Sequence, residues 1–510
     1  MNSKNLSVRI DAFLRGITLP GADQTKVLAQ MGVSLGSGAG SVPTLGSGGR
    51  LGGAELECVI YDSEQSLTDD QKAQARSNMG VPPAPFSIIG SFSGLPDGAS
   101  ELVYGGSILA FTDALSGRYW WALTKGTTGF TIESTSTVID SSTCLDFSGV
   151  PSLTDIRILS SGLVHPPVLT GLTSLRSLFL WQTNFSTWPD LTGLTALRTI
   201  TYGDNNISTP PSFDAVPALT SLTLQFQGYT SYPDFSVVPL LQSLDLSYPY
   251  GSGDTYPTTG SYYPPTPPVL TGLTDLRTLT IKNTPLTIPP VLTGLTSLQS
   301  LDLSYSLISS PPVLTGLTSL RTLNLSYSLI TVCPSFAGLT GLTAINFSHS
   351  PVSSVSDLNG LSSLVTLDFS YSSVTSAPVF VGKGLASLAT VTFRACYSLT
   401  TPPNITGLTT VVNLWVSGTG GPGGHPCPIA SAPVITGATG LKVIRLDNCS
   451  SLTGTMVDNF YISLSSVIPN TNTGGLCNSS GSTPAISSSS AAARSSLAGS
   501  PRGWSLSYNS

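Results

Sequence analysis

PPVLTGLTSLQSLDLSYS, residues 289–306, decides how this chain is read. Its L-x-x-L-x-L unit begins at Leu298, and equivalent units begin at Leu153, Leu175, Leu197, Leu219, Leu241, Leu276, Leu320, Leu342, Leu364, Leu388, Val411 and Leu441. Most steps between them are 22 residues, and near-copies of the leading PPVLTGLT open at Pro166, Pro267 and Pro311. A fixed period in the twenties predicts a solenoid with one short parallel strand per turn. Each unit is too small to bury its own apolar side, so the thirteen units spanning 151–451 must stack on one another.

Working outward from the repeat, side chains alternate along a strand, which sends the fourth and sixth positions of each unit inward (Leu301 and Leu303, for example) and the third, fifth and seventh outward. The consensus resembles the bacterial leucine-rich repeat family. That resemblance implies a parallel sheet on the concave face, and a ninth position whose polar atom bonds the buried backbone of the turn. Thr183, Thr284, Ser306, Ser328, Ser350, Ser372, Cys396 and Cys449 fit that slot. Gln227 and Pro249 depart from it, so the fourth and fifth units are expected to be irregular.

Functional information sits in the outward columns. The fifth position carries Asp245, Asp302, Asn324, Asn346 and Asp368, and the eighth carries Tyr248, Tyr305, Tyr327, His349 and Tyr371. Neighbouring strands lie about 4.8 Å apart, so these become a ribbon of acids and amides bordered by aromatic rings. Polar groups that take ring hydroxyls beside aromatic faces that pack on C–H groups make a glycan-binding surface, and these ten residues are its candidates. The competing reading is that tandem duplication copied an ancestral DLSYS with no ligand attached to it. Two insertions bear on the choice: 35 residues separate Leu241 from Leu276 and 30 separate Val411 from Leu441. Both enter just after a strand, at one edge, where insertions often line a binding face. The first adds Tyr250, Tyr256, Tyr262 and Tyr263 as loop candidates.

The flanks have a different texture. Residues 1–85 read as two short helices, DQTKVLAQMGV and LTDDQKAQARSNMGV, separated by glycine-rich linker. Residues 86–150 read as a small β domain built from FSIIGSF, SILAFTDA, GRYWWALT and GFTIES, which caps the first repeat. Residues 452–510 read as a C-terminal cap in which AAARSSLA is helical, GWSLSY is a closing strand with Trp504 as a lid, and the stretch from Thr471 is loop.

Composition narrows the chemistry. Only 9% of the 510 residues are charged, the formal net charge is -6, and no run of Lys or Arg is long enough to follow a phosphate backbone. Nucleic acid is therefore not an expected partner. No apolar stretch matches a signal peptide or a membrane span, so synthesis in a cytoplasm without membrane insertion is expected. Seven cysteines without a C-x-x-C pair point to reduced, buried thiols. Three dispersed histidines, with no G-x-S-x-G, phosphate loop or H-E-x-x-H, leave little for catalysis, and neither cofactor nor metal is expected. Asp302 and Asp368 stand three strands apart, about 14 Å, too far for a glycosidase pair; Asp245 and Asp302, at roughly 10 Å, approach the inverting limit.

SLTDDQKAQARSNMGV, preceded by VPTLGSGGRL, resembles the short attachment motifs near the N-terminus of bacteriophage tail and head fibre proteins, with Met79 where the motif carries Ile. The resemblance implies a non-enzymatic virion protein, held to other virion proteins through residues 1–85 and presenting its repeats to a host-surface polysaccharide or receptor. It also implies a homo-oligomer, commonly a trimer. The contrasting expectation is a decoration protein whose repeats touch only other virion proteins.

Overall fold

The computed structural model describes the backbone of 86–92, 108–113, 118–124, 132–134 and 160. It further describes residues 128–131, 145–159, 163–203, 207, 209–225, 231–247, 266–419, 426–469, 474–480, 485–499 and 502–509. The chain divides into two compact units, Met1–Arg198 and Thr199–Ser510. The two expected N-terminal helices lie outside the described residues, as do Cys58, Cys144, Gln227, Pro249 and the tyrosines of the first insertion.

In the first unit, β1 (Phe86–Phe92), β2 (Ile108–Asp113) and β3 (Arg118–Thr124) form an antiparallel sheet in the order β1-β3-β2. The fourth expected strand of this small domain behaves differently. β4 (Gly129–Ser134) pairs in parallel with β5 (Asp155–Ser160), which pairs with β6 (Ser177–Trp181). GFTIES thus belongs by its hydrogen bonding to the parallel sheet of the repeats. Its Phe130 lies against Phe147, ring centroids 4.8 Å apart and edge-on, and both are fully buried. An apolar side chain packed on the first turn gives the strand a reason to join that sheet.

The second unit runs in strict sequence order. β7 (Thr199–Gly203), β8 (Ser221–Gln225), β9 (Ser243–Asp245), β10 (Thr278–Thr280), β11 (Ser300–Asp302), β12 (Thr322–Asn324), β13 (Ala344–Asn346), β14 (Thr366–Asp368), β15 (Thr390–Thr392), β16 (Asn413–Trp415) and β17 (Val443–Arg445) are successive parallel rungs. The architecture is a parallel-sheet solenoid of about 11 turns of roughly 22 residues. Register is kept from rung to rung: Leu301 pairs with Leu323, Leu323 with Ile345 and Ile345 with Leu367. These fourth-position residues and the sixth-position Leu303, Leu325, Phe347 and Phe369 are at most 1% exposed. Phe347, Phe369 and Phe393 stack in succession at 5.4 and 5.9 Å. A six-residue motif therefore supplies a continuous apolar spine, as the alternation predicts.

Between strands, VLTGLT turns the chain back. Gly294 holds φ at 90° and an added Cβ there would meet nothing within 4 Å, so its backbone conformation, not crowding, calls for glycine. Leu295 and Leu298 donate their N–H to Leu292 and Leu295 carbonyls at 3.2 and 3.0 Å and close the bend.

After β17 the chain forms α1 (Gly454–Val467), β18 (Leu476–Ser479), a 3-10 turn (Ser488–Ser490), α2 (Ala491–Ala498) and β19 (Ser505–Tyr508). α2 and β19 fall where expected. The stretch from Thr471 contains a strand and is not all loop: β18 pairs in parallel with both β17 and β19 and so extends the sheet. Helix α1 begins at Thr453, whose hydroxyl accepts the Met456 N–H at 3.2 Å. Trp504, 3% exposed, lies on Gly475, where any Cβ would overlap its indole. The buried carboxylate of Asp458 accepts hydrogen bonds from the Ser487 N–H and from the Ser487 and Ser490 hydroxyls, and ties α1 to the segment before α2.

Candidate functional site

The outward columns are built by one local device repeated at each turn. At the end of β11, Asp302 Oδ1 accepts from the Ser304 N–H at 2.9 Å and from its hydroxyl at 2.6 Å. Asn324 does the same for Ser326 at 3.2 and 2.8 Å, and Asp368 for Ser370 at 2.8 and 2.6 Å. Asp245 and Asn346 accept the Ser247 and Ser348 N–H at 2.9 Å. An Asp or Asn accepting from the backbone two residues on makes an Asx turn. Fifth-position acids and amides thus have a structural task in addition to any they have toward a ligand.

Most serines at the seventh position depart from their expected exposure, while Lys282 and Arg394 there keep it. Ser247, Ser304, Ser326 and Ser370 are between 0 and 7% exposed. The Ser304, Ser326 and Ser370 hydroxyls are turned down onto the carboxylate or amide oxygen and become part of the turn, whereas the Ser247 hydroxyl accepts the Lys282 N–H at 3.3 Å.

The residue after the turn is forced into the left-handed region. Tyr305 and Tyr327 have φ 53°, and His349 and Tyr371 have φ 58°. A bulky side chain pays on the order of 1–2 kcal/mol there. Three features hold it: the Asx turn behind it, its own N–H, and its ring. The Tyr305, Tyr327, His349 and Tyr371 N–H groups donate to Ser326, Ser348, Ser370 and Arg394 carbonyls of the next turn at 2.7 to 2.9 Å.

The rings then form one file. Tyr305–Tyr327, Tyr327–His349 and His349–Tyr371 stack with centroids 4.2, 4.2 and 4.1 Å apart and interplanar angles of 8, 9 and 14°. Tyr397 closes the far end edge-on, 6.4 Å from Tyr371. At that spacing the rings cover each other's faces. A ligand lying along the file would meet ring edges and hydroxyls, so the C–H stacking expected of individual ring faces is not what the inner rings offer.

Behind the file runs a buried polar ladder at the ninth position. Ser306 and Ser328 donate to Leu303 and Leu325 carbonyls at 2.8 Å, and Ser350 donates to Leu325 at 2.8 Å. Cys396 Sγ donates to the Phe369 carbonyl at 3.0 Å and Cys449 Sγ to Val416 at 3.3 Å. Cys333, Cys396, Cys427, Cys449 and Cys477 are all buried thiols outside any disulfide. Burial pushes the Cys333, Cys396 and Cys477 thiols up to about 12, which keeps them protonated and unreactive at neutral pH.

Of the ten column candidates, nine are placed together: Asp245, Asp302, Asn324, Asn346 and Asp368 on the sheet, and Tyr305, Tyr327, His349 and Tyr371 in the file. Tyr248 and the loop candidates Tyr250, Tyr256, Tyr262 and Tyr263 lie outside the described residues. Asp245 reaches Asp302 through Thr280, two rungs away, and Asp368 is three rungs beyond Asp302. Among the described residues no group of three His, Cys, Asp or Glu could hold a metal ion, and no helix is long and apolar enough to cross a membrane.

Carrying the columns further brings in residues the sequence reading did not single out. Beyond Thr392 the fifth position holds Trp415 and then Arg445, paired directly in register, and the seventh, which the sequence reading followed as far as Arg394, holds Ser417 and Asp447. Their signal was available as two more steps of the same count.

No family model matches the chain, and no curated protein matches it. Solved structures do. The functional domain of InlJ from Listeria monocytogenes, described as including a cysteine ladder, matches with a TM-score of 0.51 at 17% identity, covering 72% of this chain and 70% of that one. An internalin, inlF, from the same species matches with a TM-score of 0.41 at 18% identity, over 56% of this chain and 79% of that one. YopM from Yersinia enterocolitica matches at 0.41 and 18%, over 62% and 61%. At such identity the likeness to InlJ shows the fold: this is the leucine-rich repeat solenoid.

Proposed function

We propose that this chain is a bacteriophage virion fibre or decoration protein that presents its repeats to a polysaccharide of the host cell surface. Residues 1–85, on this reading, attach it to other virion proteins, the small β domain of residues 86–150 joins the two parts, and the repeats of residues 151–451 present the recognition surface. On this reading the protein works in the virion, after synthesis in the host cytoplasm, as a homo-oligomer, and it is not an enzyme.

One observation carries the binding half of the proposal. Tyr305, Tyr327, His349 and Tyr371 form a continuous ring file beside the acid and amide column of Asp302 to Asp368. Four bulky residues held in left-handed backbone cost stability that asparagine or glycine at the same position would largely avoid. Ring stacking offsets part of that cost, but Asn283 and Asn448 hold the equivalent position at φ 57° without a ring, so the turn itself does not call for one. A repeating row of hydroxyl edges and carboxylates at a strand spacing of about 4.8 Å suits a repeating polymer of hydroxylated rings. The attachment half rests on the fibre-like motifs around Val42 and Leu67.

The experiment is equilibrium binding of the full chain to purified host surface polysaccharide, with Tyr305→Ala and Tyr327→Ala as variants. Binding that both variants weaken supports recognition. Absence of binding, with sedimentation of the chain on purified particles, supports the alternative of a decoration protein whose repeats contact only virion proteins.

A further inference from the structure

The fifth-position column changes its chemistry near the C-terminal end of the second unit. From Asp302 to Asp368 every rung holds a side-chain oxygen that caps the next turn. Trp415 and Arg445 cannot do this, because indole N–H and guanidinium are donors only. Their presence in consecutive rungs is not explained by the device that explains the run from Asp302 to Asp368.

What surrounds them is a donor-rich cluster. The Arg445 guanidinium carbon stands 5.5 Å over the Trp415 ring, and the exposed Arg394 stands 5.9 Å over Tyr371, where the ring file ends. Asp447 feels both guanidiniums, which favour its charged form, while the larger effect of burial pushes its carboxyl up. Trp415 Nε1, Arg445 Nε and Asp447 Oδ1 are buried and have no hydrogen-bond partner. Buried polar atoms are nearly always paired, so three orphans on two adjacent rungs mark a place where the fold leaves bonds unmade.

We propose that this end of the outward sheet is the subsite for the carboxylate of an acidic polysaccharide. Arg394 and Arg445 hold the anionic oxygens, Trp415 lies against the sugar ring, and Asp447 accepts from a ring hydroxyl. Guanidinium pairs carboxylate in a planar, two-bond geometry, which selects a hexuronate unit over a neutral hexose. The subsite rests on the glycan-binding reading above and extends it: the ring file supplies length, and the Arg–Trp cluster supplies the choice of acidic polymer.

The test uses the full chain and three probes: polygalacturonate oligomers, the same oligomers with their carboxyls reduced to alcohols, and poly(glycerol phosphate). Calorimetric titration should show binding of polygalacturonate, with little binding of the reduced form. Arg394→Ala, at an exposed position, and Arg445→Ala should each weaken it by about tenfold or more, the usual scale for a lost charged hydrogen bond. Arg394→Ala should also keep the wild-type unfolding midpoint, which separates binding from folding. Equal binding of poly(glycerol phosphate) would overturn the hexuronate assignment. So would binding of the reduced oligomers that Tyr327→Ala weakens and Arg394→Ala leaves unchanged, an outcome that spares the glycan reading itself. If no sugar polymer, host polysaccharide included, binds at all, both fall together.

Discussion

The turns that carry Tyr305 to Tyr371 and those that carry Trp415 and Arg445 share a backbone but differ in what their outward side chains owe to it. In the central turns, Asp302 and its equivalents cap the bend, Ser304 and its equivalents are folded onto them, and the rings stack on each other. In the later turns the same positions hold an indole, a guanidinium and a carboxyl with buried atoms that nothing satisfies. A repeated position can therefore be read twice, once for what the turn requires and once for what is left over. Under the proposed function, that leftover is what a ligand would read.

The largest effect should come from the part both regions share. Leu323→Ala and Leu414→Ala each remove a fully buried leucine and should each cost about 2–5 kcal/mol in denaturant unfolding; a much smaller loss at Leu414 would show that the later turns pack less tightly. Next is Ser328→Ala, which strips a hydroxyl from between the Leu325 carbonyl and Ser350 and should cost about 1–3 kcal/mol in the same assay. Asp302 gives a sharper contrast. Asp302→Ala loses the turn cap, about 1 kcal/mol, whereas Asp302→Asn keeps an acceptor oxygen and should match the wild type in stability. If Asp302→Asn nevertheless abolishes polysaccharide binding, the carboxylate serves a ligand as well as the turn.

Tyr327→Ala, which breaks two ring contacts, should lower stability by roughly 0.5–1.5 kcal/mol. The smallest effect belongs to Asp447. Its folded carboxyl is raised above the ordinary 3.8, so the folded state holds its proton more tightly than the unfolded chain does. Stability contributed by this group is therefore greatest at acid pH and falls as pH rises from the unfolded value through the folded one. Asp447→Asn should remove that dependence and leave the protein slightly more stable at neutral pH, as read from unfolding midpoints at pH 4 and pH 7. An unchanged slope would mean that Asp447 is satisfied in solution and that the two regions differ less in their unmade bonds.

Much of the fold was legible because a six-residue apolar motif at a fixed step states which side chains face in. Leu301, Leu303 and their copies are buried as the alternation requires, and the columns stand in register. The left-handed tyrosines were not legible, because nothing in Tyr305 itself signals φ 53°; the turn made by Asp302 and Ser304 imposes it. The burial of Ser304 escaped for a related reason. Alternation gives the direction of a side chain and not whether its neighbour folds over it. α1 was missed because GTMVDNFYISLSSV mixes β-branched and polar residues, and its apolar side becomes meaningful only against β18 and β19, where Tyr461 meets Ser479 and Tyr508. β18 is hidden in the sequence because Gly474 and Gly475 look like linker, although Gly475 is small to admit Trp504. Trp415 and Arg445 stand two and three rungs beyond Asp368, where the run of acids and amides has ended and its pattern no longer points to them.

Equivalent residues of neighbouring turns meet in unbroken register from Ser300–Asp302 through Thr366–Asp368. Excising one whole period there would join two surfaces that already fit, since each rung offers its successor what it receives from its predecessor. The molecule is in this respect modular in a single dimension: a deletion or duplication in frame with the period would shift its reach by about 4.8 Å and leave every remaining contact a familiar one. Length can then vary among descendants without a fold having to be found anew.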